Sequence, residues 1–276
     1  MRILPFGILL FSFLFSLSAQ AFTLEGNLTQ GGLAIGKTVP GAAVHFQGKQ
    51  IRVSPEGLFV IGFSRDAKPS QEIEIRNADG TIEHHPVEIK ERTYAIQRIE
   101  GLPKRKVSPS KKDLDRIYSD IAMVKAVRKK DEPRTDFLQP FIWPVIGRIS
   151  GVYGSQRILN GKPKNPHYGV DIAAPTGTPV KSPADGSVAL TRDDMFYSGG
   201  TLILDHGHGV TTSYLHLHKI WVAEGQTVKQ GEVIAQVGAT GRVTGPHLHW
   251  GMNWFSTRLD PSLLVPPMPD PAGERK

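Results

Sequence analysis

A mainly β protein is what this sequence predicts: a small antiparallel β domain first, one connecting amphipathic helix, and an all-β domain last. Three observations predict it. Short runs of β-branched and aromatic residues, several of them alternating, recur from residue 22 to about 103. A single stretch with apolar residues at helical spacing follows them. From Phe137 the chain alternates short apolar runs with glycines at 186, 199, 200, 207, 209, 225, 231 and 238, a pattern of many short strands split by turns.

Residues 1–21 stand apart from that pattern. Arg2 gives a positive start, Ile3 to Leu17 an apolar core, and Ala19-Gln20-Ala21 a small-x-small cleavage site. An uncleaved anchor is the competing reading, but the apolar run is short for a span of ~20 residues. The expectation is therefore a cleaved signal peptide, a mature chain starting at Phe22 and exported to the periplasm or cell envelope, and no stable membrane span after cleavage.

Residues 22–103 read as an accessory β domain. Its strands are AVHF, QIRV, LFVIGF, EIEIRN, TIEHHPVEIK and YAIQRI, with Asn77-Ala78-Asp79-Gly80 as a hairpin turn. A small sandwich or barrel fits, and His45, His84 and His85 have no acidic partners at telling spacings. Residues 104–134 read as a basic linker containing the helix. Ser110 and Asp113 form an N-cap pair. Leu114, Ile117, Tyr118, Ile121, Val124 and Val127 form the apolar stripe, and Arg128-Lys129-Lys130 suits a helix C-terminus. The final domain spans 135–265, with strands expected at TPVKSP, GSVAL, TLILD, VTTSYLHL and EVIAQVG, and a Pro-rich tail covers 266–276.

Charge and cysteine content narrow the chemistry. The chain carries a formal net charge of +7, and residues 101–135 hold eleven Lys or Arg against five Asp or Glu. In an exported protein such a surplus suits anionic envelope material, or a solvated linker, and not nucleic acid. There is no cysteine. Any zinc site must then be built from His, Asp or Glu.

Seven of the ten histidines lie between 167 and 249. Three His-x-His pairs stand at 206/208, 216/218 and 247/249, and in a strand i and i+2 share a face. His206-Gly-His208-Gly is the weakest pair, since glycines mark a turn. His216 and His218 lie in an alternating run, and His247 and His249 follow Gly245-Pro246. His167 and Asp171 are four apart in PHYGVDIAAP, a segment too rich in Pro, Gly and β-branched residues for a helix. A straight strand would put them roughly 13 Å apart, at about 3.3 Å per residue. The chain must bend between them if they act together, and Gly169 is the expected place. Spacing alone leaves open which pair binds metal.

His167-x-x-x-Asp171, Tyr214-x-His216-Leu217 and GPHLHW, with GVYGSQR, GVDIAAPTGTPV, PADGSV, LDHGHG and VGATG between about Trp143 and Leu264, resemble the LytM/lysostaphin-type zinc endopeptidases, which cut peptide bonds in peptidoglycan. The resemblance implies the duplicated hybrid β fold of that family for 135–265 and one Zn2+ per chain. It implies His167, Asp171 and His249 as metal ligands and His216 and His247 as catalytic groups that activate water or stabilise the developing oxyanion. It implies peptidoglycan peptide stems and cross-links as partners. Three protein ligands would leave a position for water, whose pKa zinc lowers to about 7, and a histidine with pKa near 6.5 can accept or return a proton. His206 and His218 are expected to be structural.

Three other readings are weaker. A non-catalytic LytM-like activator of other wall hydrolases would have lost zinc ligands, and all five key residues are present. VKSPADGSVAL and GQTVKQGEVIAQVG resemble the halves of a biotinyl or lipoyl carrier, which the secretion signal and the histidines oppose. A paired-carboxylate glycosidase has only scattered acids behind it. A further expectation is that the helix and the N-terminal domain lie against the last domain and restrict its groove.

Overall fold

The computed structural model describes residues 22–269. The signal-peptide expectation for residues 1–21 falls outside them, as does the end of the Pro-rich tail. The N-terminal strands are β1 (Thr23–Gly26), β2 (Leu33–Lys37), β3 (Ala43–Phe46), β4 (Lys49–Ile51), β5 (Leu58–Gly62), β6 (Ser70–Arg76), β7 (Ile82–Glu88) and β8 (Ile96–Ile99). They form two small antiparallel sheets, β1-β2-β5 and β4-β3-β6-β7. The expected hairpin lies between β6 and β7, where Gly80 N–H donates to Asn77 O at 3.0 Å.

Strand β8 departs from the expected grouping. It leaves the two N-terminal sheets and pairs, in parallel, with a strand some 60 residues on. That strand is β10 (Gln156–Leu159), which follows β9 (Arg148–Gly151) and precedes β11 (Lys162–Pro163). A parallel pair needs a long crossover, and here the crossover carries the helices, α1 (Lys104–Val107) and α2 (Lys111–Val127).

Local sequence explains where α2 starts. Ser110 Oγ accepts from Asp113 N–H at 3.3 Å while the Asp113 carboxylate accepts from Ser110 N–H at 3.1 Å, a reciprocal box that satisfies two otherwise orphaned donors. Arg105 reaches Asp113 from α1, and its guanidinium, together with the Ser110 cap bonds, holds the carboxyl well below the usual carboxylate range. The helix then packs Val127 against Leu190, Met195 and Ile203, with Asp120 accepting Phe196 N–H at 2.7 Å. Its stripe is used at Ile117, Val124 and Val127, whereas Tyr118 and Ile121 are exposed.

The remaining strands are β12 (Val170–Ala173), β13 (Pro179–Lys181), β14 (Gly186–Met195), β15 (Gly199–Asp205), β16 (Val210–Leu217), β17 (Lys219–Ile220), β18 (Thr227–Val228), β19 (Val233–Gln236), β20 (His247–Trp254) and β21 (Thr257–Leu259). The main sheet runs β18-β14-β15-β16-β20-β12-β9, with β21 on β20, and β13-β19-β17 forms a second sheet. Fully buried Leu202, Leu204, Tyr214, Leu248 and Trp250 fill its core.

One hydrophobic cluster runs through both β regions. Phe46 packs against Phe63 at 5.9 Å and against Trp254 at 6.1 Å, and Arg92 pairs with the buried carboxylate of Asp260 at 2.9 Å. Burying aromatic and aliphatic groups of this size contributes roughly 1.5–3 kcal/mol each, so the N-terminal sheets are braced against the last domain. No helix among the described residues is long and apolar enough to cross a membrane.

Candidate active site

Two adjacent antiparallel strands build the centre. In the β12–β20 ladder Asp171 stands directly opposite His249, so their side chains leave the same face. His167 precedes β12 and turns back toward them. Its Nε2 lies 3.0 Å from Asp171 Oδ1 and 2.9 Å from His249 Nδ1, and His249 Nδ1 lies 2.8 Å from Asp171 Oδ1. The three donor atoms thus converge on one point, and these residues could hold a metal ion.

The surroundings fit a cation there. His167 Nδ1–H donates to Val152 O at 3.0 Å, which fixes the tautomer and aims Nε2 inward. Asp171 is buried, which opposes its charge, yet the bonds from His167 and His249 outweigh that and hold its carboxyl well below the usual range. Burial pushes the His249 imidazole down to about 4, against the pull of Asp171, so it can serve as a neutral ligand. Tetrahedral zinc with bonds of about 2.0–2.1 Å needs donor separations near 3.3 Å, a few tenths wider than those observed.

Gly169 stands at the expected bend, and it has a second reason to be glycine. Its φ is not in the left-handed region, but a Cβ there would stand 2.6 Å from His249 Nε2 and 2.6 Å from Trp250 O. The glycine lets the His249 ring close down on the segment that carries the other ligands.

His216 and His247 sit beside the triad. Their ring centroids are 4.8 Å apart, and His216 lies 6.2 Å from His249. Each donates its Nδ1–H to a backbone carbonyl, His216 to Thr240 O at 2.9 Å and His247 to Gly245 O at 2.9 Å, which leaves each Nε2 as an acceptor. Burial, followed by the neighbouring His247 and His249, pushes His216 down to about 3.

The three His-x-His pairs behave differently. His247 and His249 share a face of β20, as the strand period requires. His216 does not share one with His218. It is the penultimate residue of β16, at φ 66° and next to a register shift against β15, and this irregularity turns its ring to the centre while His218 is exposed. His206 is fully buried away from the triad, donating to Asp185 O at 2.7 Å and meeting Thr212 Oγ1 at 2.8 Å. His208 packs, tilted, against Phe137 with ring centroids 5.0 Å apart.

Arg157 belongs to the site and was missed by spacing arguments. Its guanidinium donates to Asp171 Oδ2 at 2.5 Å and, through Nε–H, to Gln97 Oε1 at 3.1 Å, across the β8–β10 pair. It occupies the second carboxylate oxygen, leaving Oδ1 for the centre. The GVYGSQR stretch held this arginine, but nothing in its local pattern pointed to Asp171.

The fold and the site define a metallopeptidase-type centre in a β sandwich. A peptidase family M23 model matches residues 165–261. A crystal structure of a Pseudomonas aeruginosa chain assigned to peptidase M23 is 32% identical, with a TM-score of 0.67, covering 86% of this chain and 95% of that one. This chain therefore belongs to peptidase family M23. Among curated relatives, the peptidoglycan DD-endopeptidase ShyB of Vibrio cholerae is 52% identical over 85 residues, 31% of this chain and 20% of the relative. The DD-carboxypeptidase/endopeptidase Mpg of Neisseria meningitidis is 42% identical over 104 residues, 38% of this chain and 24% of the relative. The matched stretch spans about a fifth to a quarter of those curated relatives.

Proposed function

We propose that this chain is an exported zinc metalloendopeptidase that hydrolyses peptide cross-links of peptidoglycan, at bonds of the DD type named for its relatives. The convergence of His167 Nε2, Asp171 Oδ1 and His249 Nδ1 within 3.0 Å of one another, with two acceptor histidines alongside, carries the reading. Zinc bound there would supply Lewis acidity and a water ionisable near pH 7.

The chain's own groups do the rest. His216 and His247 present unprotonated Nε2 atoms toward the centre, so one accepts a proton from the attacking water and returns it to the leaving nitrogen. The other steadies the oxyanion as a donor, after its Nε2 has taken up a proton. The backbone carbonyls of Thr240 and Gly245 hold both rings in the required tautomer. Arg157 keeps Asp171 oriented. Ile121 of α2 lines the cleft over the centre, which supports a second element of the reading: α2 narrows substrate access in the resting protein.

Digestion of purified peptidoglycan by the zinc-loaded chain, with mass analysis of the fragments, tests this. Cross-linked dimers should fall to monomers, the glycan strands staying intact. Dimers that persist at full zinc content would overturn it.

A further inference from the structure

The main cleft, about 630 Å³, opens on His167, His216 and His249, and its wall carries Arg157, Lys164, Arg242 and Arg258 but no Asp or Glu. Arg157 is neutralised by Asp171. Arg242 and Arg258 have no carboxylate within salt-bridge distance among the described residues. Each guanidinium is instead backed by an aromatic face: Arg242 stands 4.5 Å over Tyr197, and Arg258 stands 5.6 Å over Tyr168. Those tyrosines also line the cleft.

Both arginines are half-buried. Burial pushes both guanidiniums down, with Tyr197 and Tyr168 respectively opposing it only in part. A desolvated cation without a carboxylate partner is costly, and the tyrosine rings repay it only in part. Stacking on a ring holds a guanidinium plane in place and leaves its N–H edge for a carboxylate. The sole protein acceptor near Arg242 is Lys106 O at 3.4 Å, a weak contact. Both arginines line this one cleft beside the centre. Arg242 also borders the recess of His216, His247 and Asp171, whereas Arg258 borders the recess beneath α2.

We infer that Arg242 and Arg258 are specificity-determining residues that bind substrate carboxylates, selecting peptides with a carboxylate on the carbon bonded to the scissile nitrogen over neutral peptides. The inference rests on the proposed hydrolase reading for its substrate class. Arg242 shares a recess with His216 and His247, one of which returns a proton to the leaving nitrogen, so the leaving half is the half it anchors. A bidentate guanidinium–carboxylate pair in a half-dry cleft is a strong contact, and losing it should weaken acidic substrates about 10- to 100-fold.

The probes are N-acetyl-D-alanyl-D-alanine and its C-terminal carboxamide, which differ only in that charge. Initial rates with the zinc-loaded full chain give KM and kcat. Calorimetric titration of the same chain stripped of metal gives binding without turnover. The wild type should bind the acid at least tenfold tighter than the amide. Arg242→Gln and Arg258→Gln should each raise KM for the acid with kcat, zinc content and amide affinity held, and the double variant should erase the preference. Arg258→Lys, which keeps the charge, should recover part of it. Equal binding of acid and amide by the wild type, or a preference that survives both substitutions, would overturn the inference. A preference in binding by a zinc-loaded chain that cleaves neither peptide would leave the arginine site standing and remove the hydrolase reading instead.

Discussion

Replacing His206 by Gln should separate a structural histidine from those of the centre, and it does so through pH. His206 is fully buried, and burial pushes its imidazole down to about 4 from an ordinary 6.5, with the Asp185 carbonyl bond opposing only in part. The unfolded chain therefore binds a proton between pH 6.5 and 4 that the folded chain refuses. Stability from this group is complete above pH 6.5 and is lost as pH falls through that window. A depression of about 2.5 units corresponds to about 3 kcal/mol, at 1.36 kcal/mol per unit. At pH 7.5 the variant should be less stable by roughly 1–3 kcal/mol, because Asp185 O and Thr212 Oγ1 lose their buried partner. Between pH 7 and 4.5 the gap between the two proteins should then shrink by about 2–3 kcal/mol. Urea unfolding of metal-free protein across that range measures it, and the other buried imidazoles, common to both proteins, cancel in the difference. A gap that stays constant with pH would refute the assignment of His206 as a neutral buried brace.

Four further outcomes are expected. His167→Ala, Asp171→Ala and His249→Ala should each lose bound metal and activity, whereas His216→Ala and His247→Ala should keep near-stoichiometric zinc and lose turnover by roughly 10²–10⁴-fold; metal analysis beside kinetics reads the split. Arg157→Ala frees Asp171 Oδ2 from its ion pair and should weaken metal affinity about 10- to 100-fold, measured by chelator competition. Gly169→Ala drives a methyl against His249 Nε2 and should lower zinc affinity more than it lowers Tm. Val127→Asp, which puts a charge against Leu190, Met195 and Ile203, should detach α2 and raise peptidoglycan release several-fold at equal zinc content; an unchanged rate in the folded variant would leave α2 as a spacer. Cutting the chain before Thr135 is a harsher test, because it also strips Phe46 from Trp254.

What the sequence determined by itself is what local physics controls. The capping box at Ser110, the hairpin at Asn77–Gly80 and the strand periods of the last domain depend on residues within a few positions of one another, and each appears where the pattern places it. The sharing of one face by His247 and His249 is likewise a consequence of strand period. Tertiary structure decided the rest. His216 and His218 look equivalent in an alternating run, yet a positive φ at the end of β16 sends one to the centre and the other to solvent. Gly169 reads as a bend and is one, but only the fold shows that it is also the space into which a ring from β20 closes. Strand β8 reads as part of the first domain, but pairs with β10 and thereby sets Gln97 on Arg157, and Arg157 on Asp171. Arg242 and Arg258 carry no local signal at all; their meaning comes from a cleft wall assembled from segments far apart in the chain, where burial, and not sequence neighbourhood, makes a charge demand a partner.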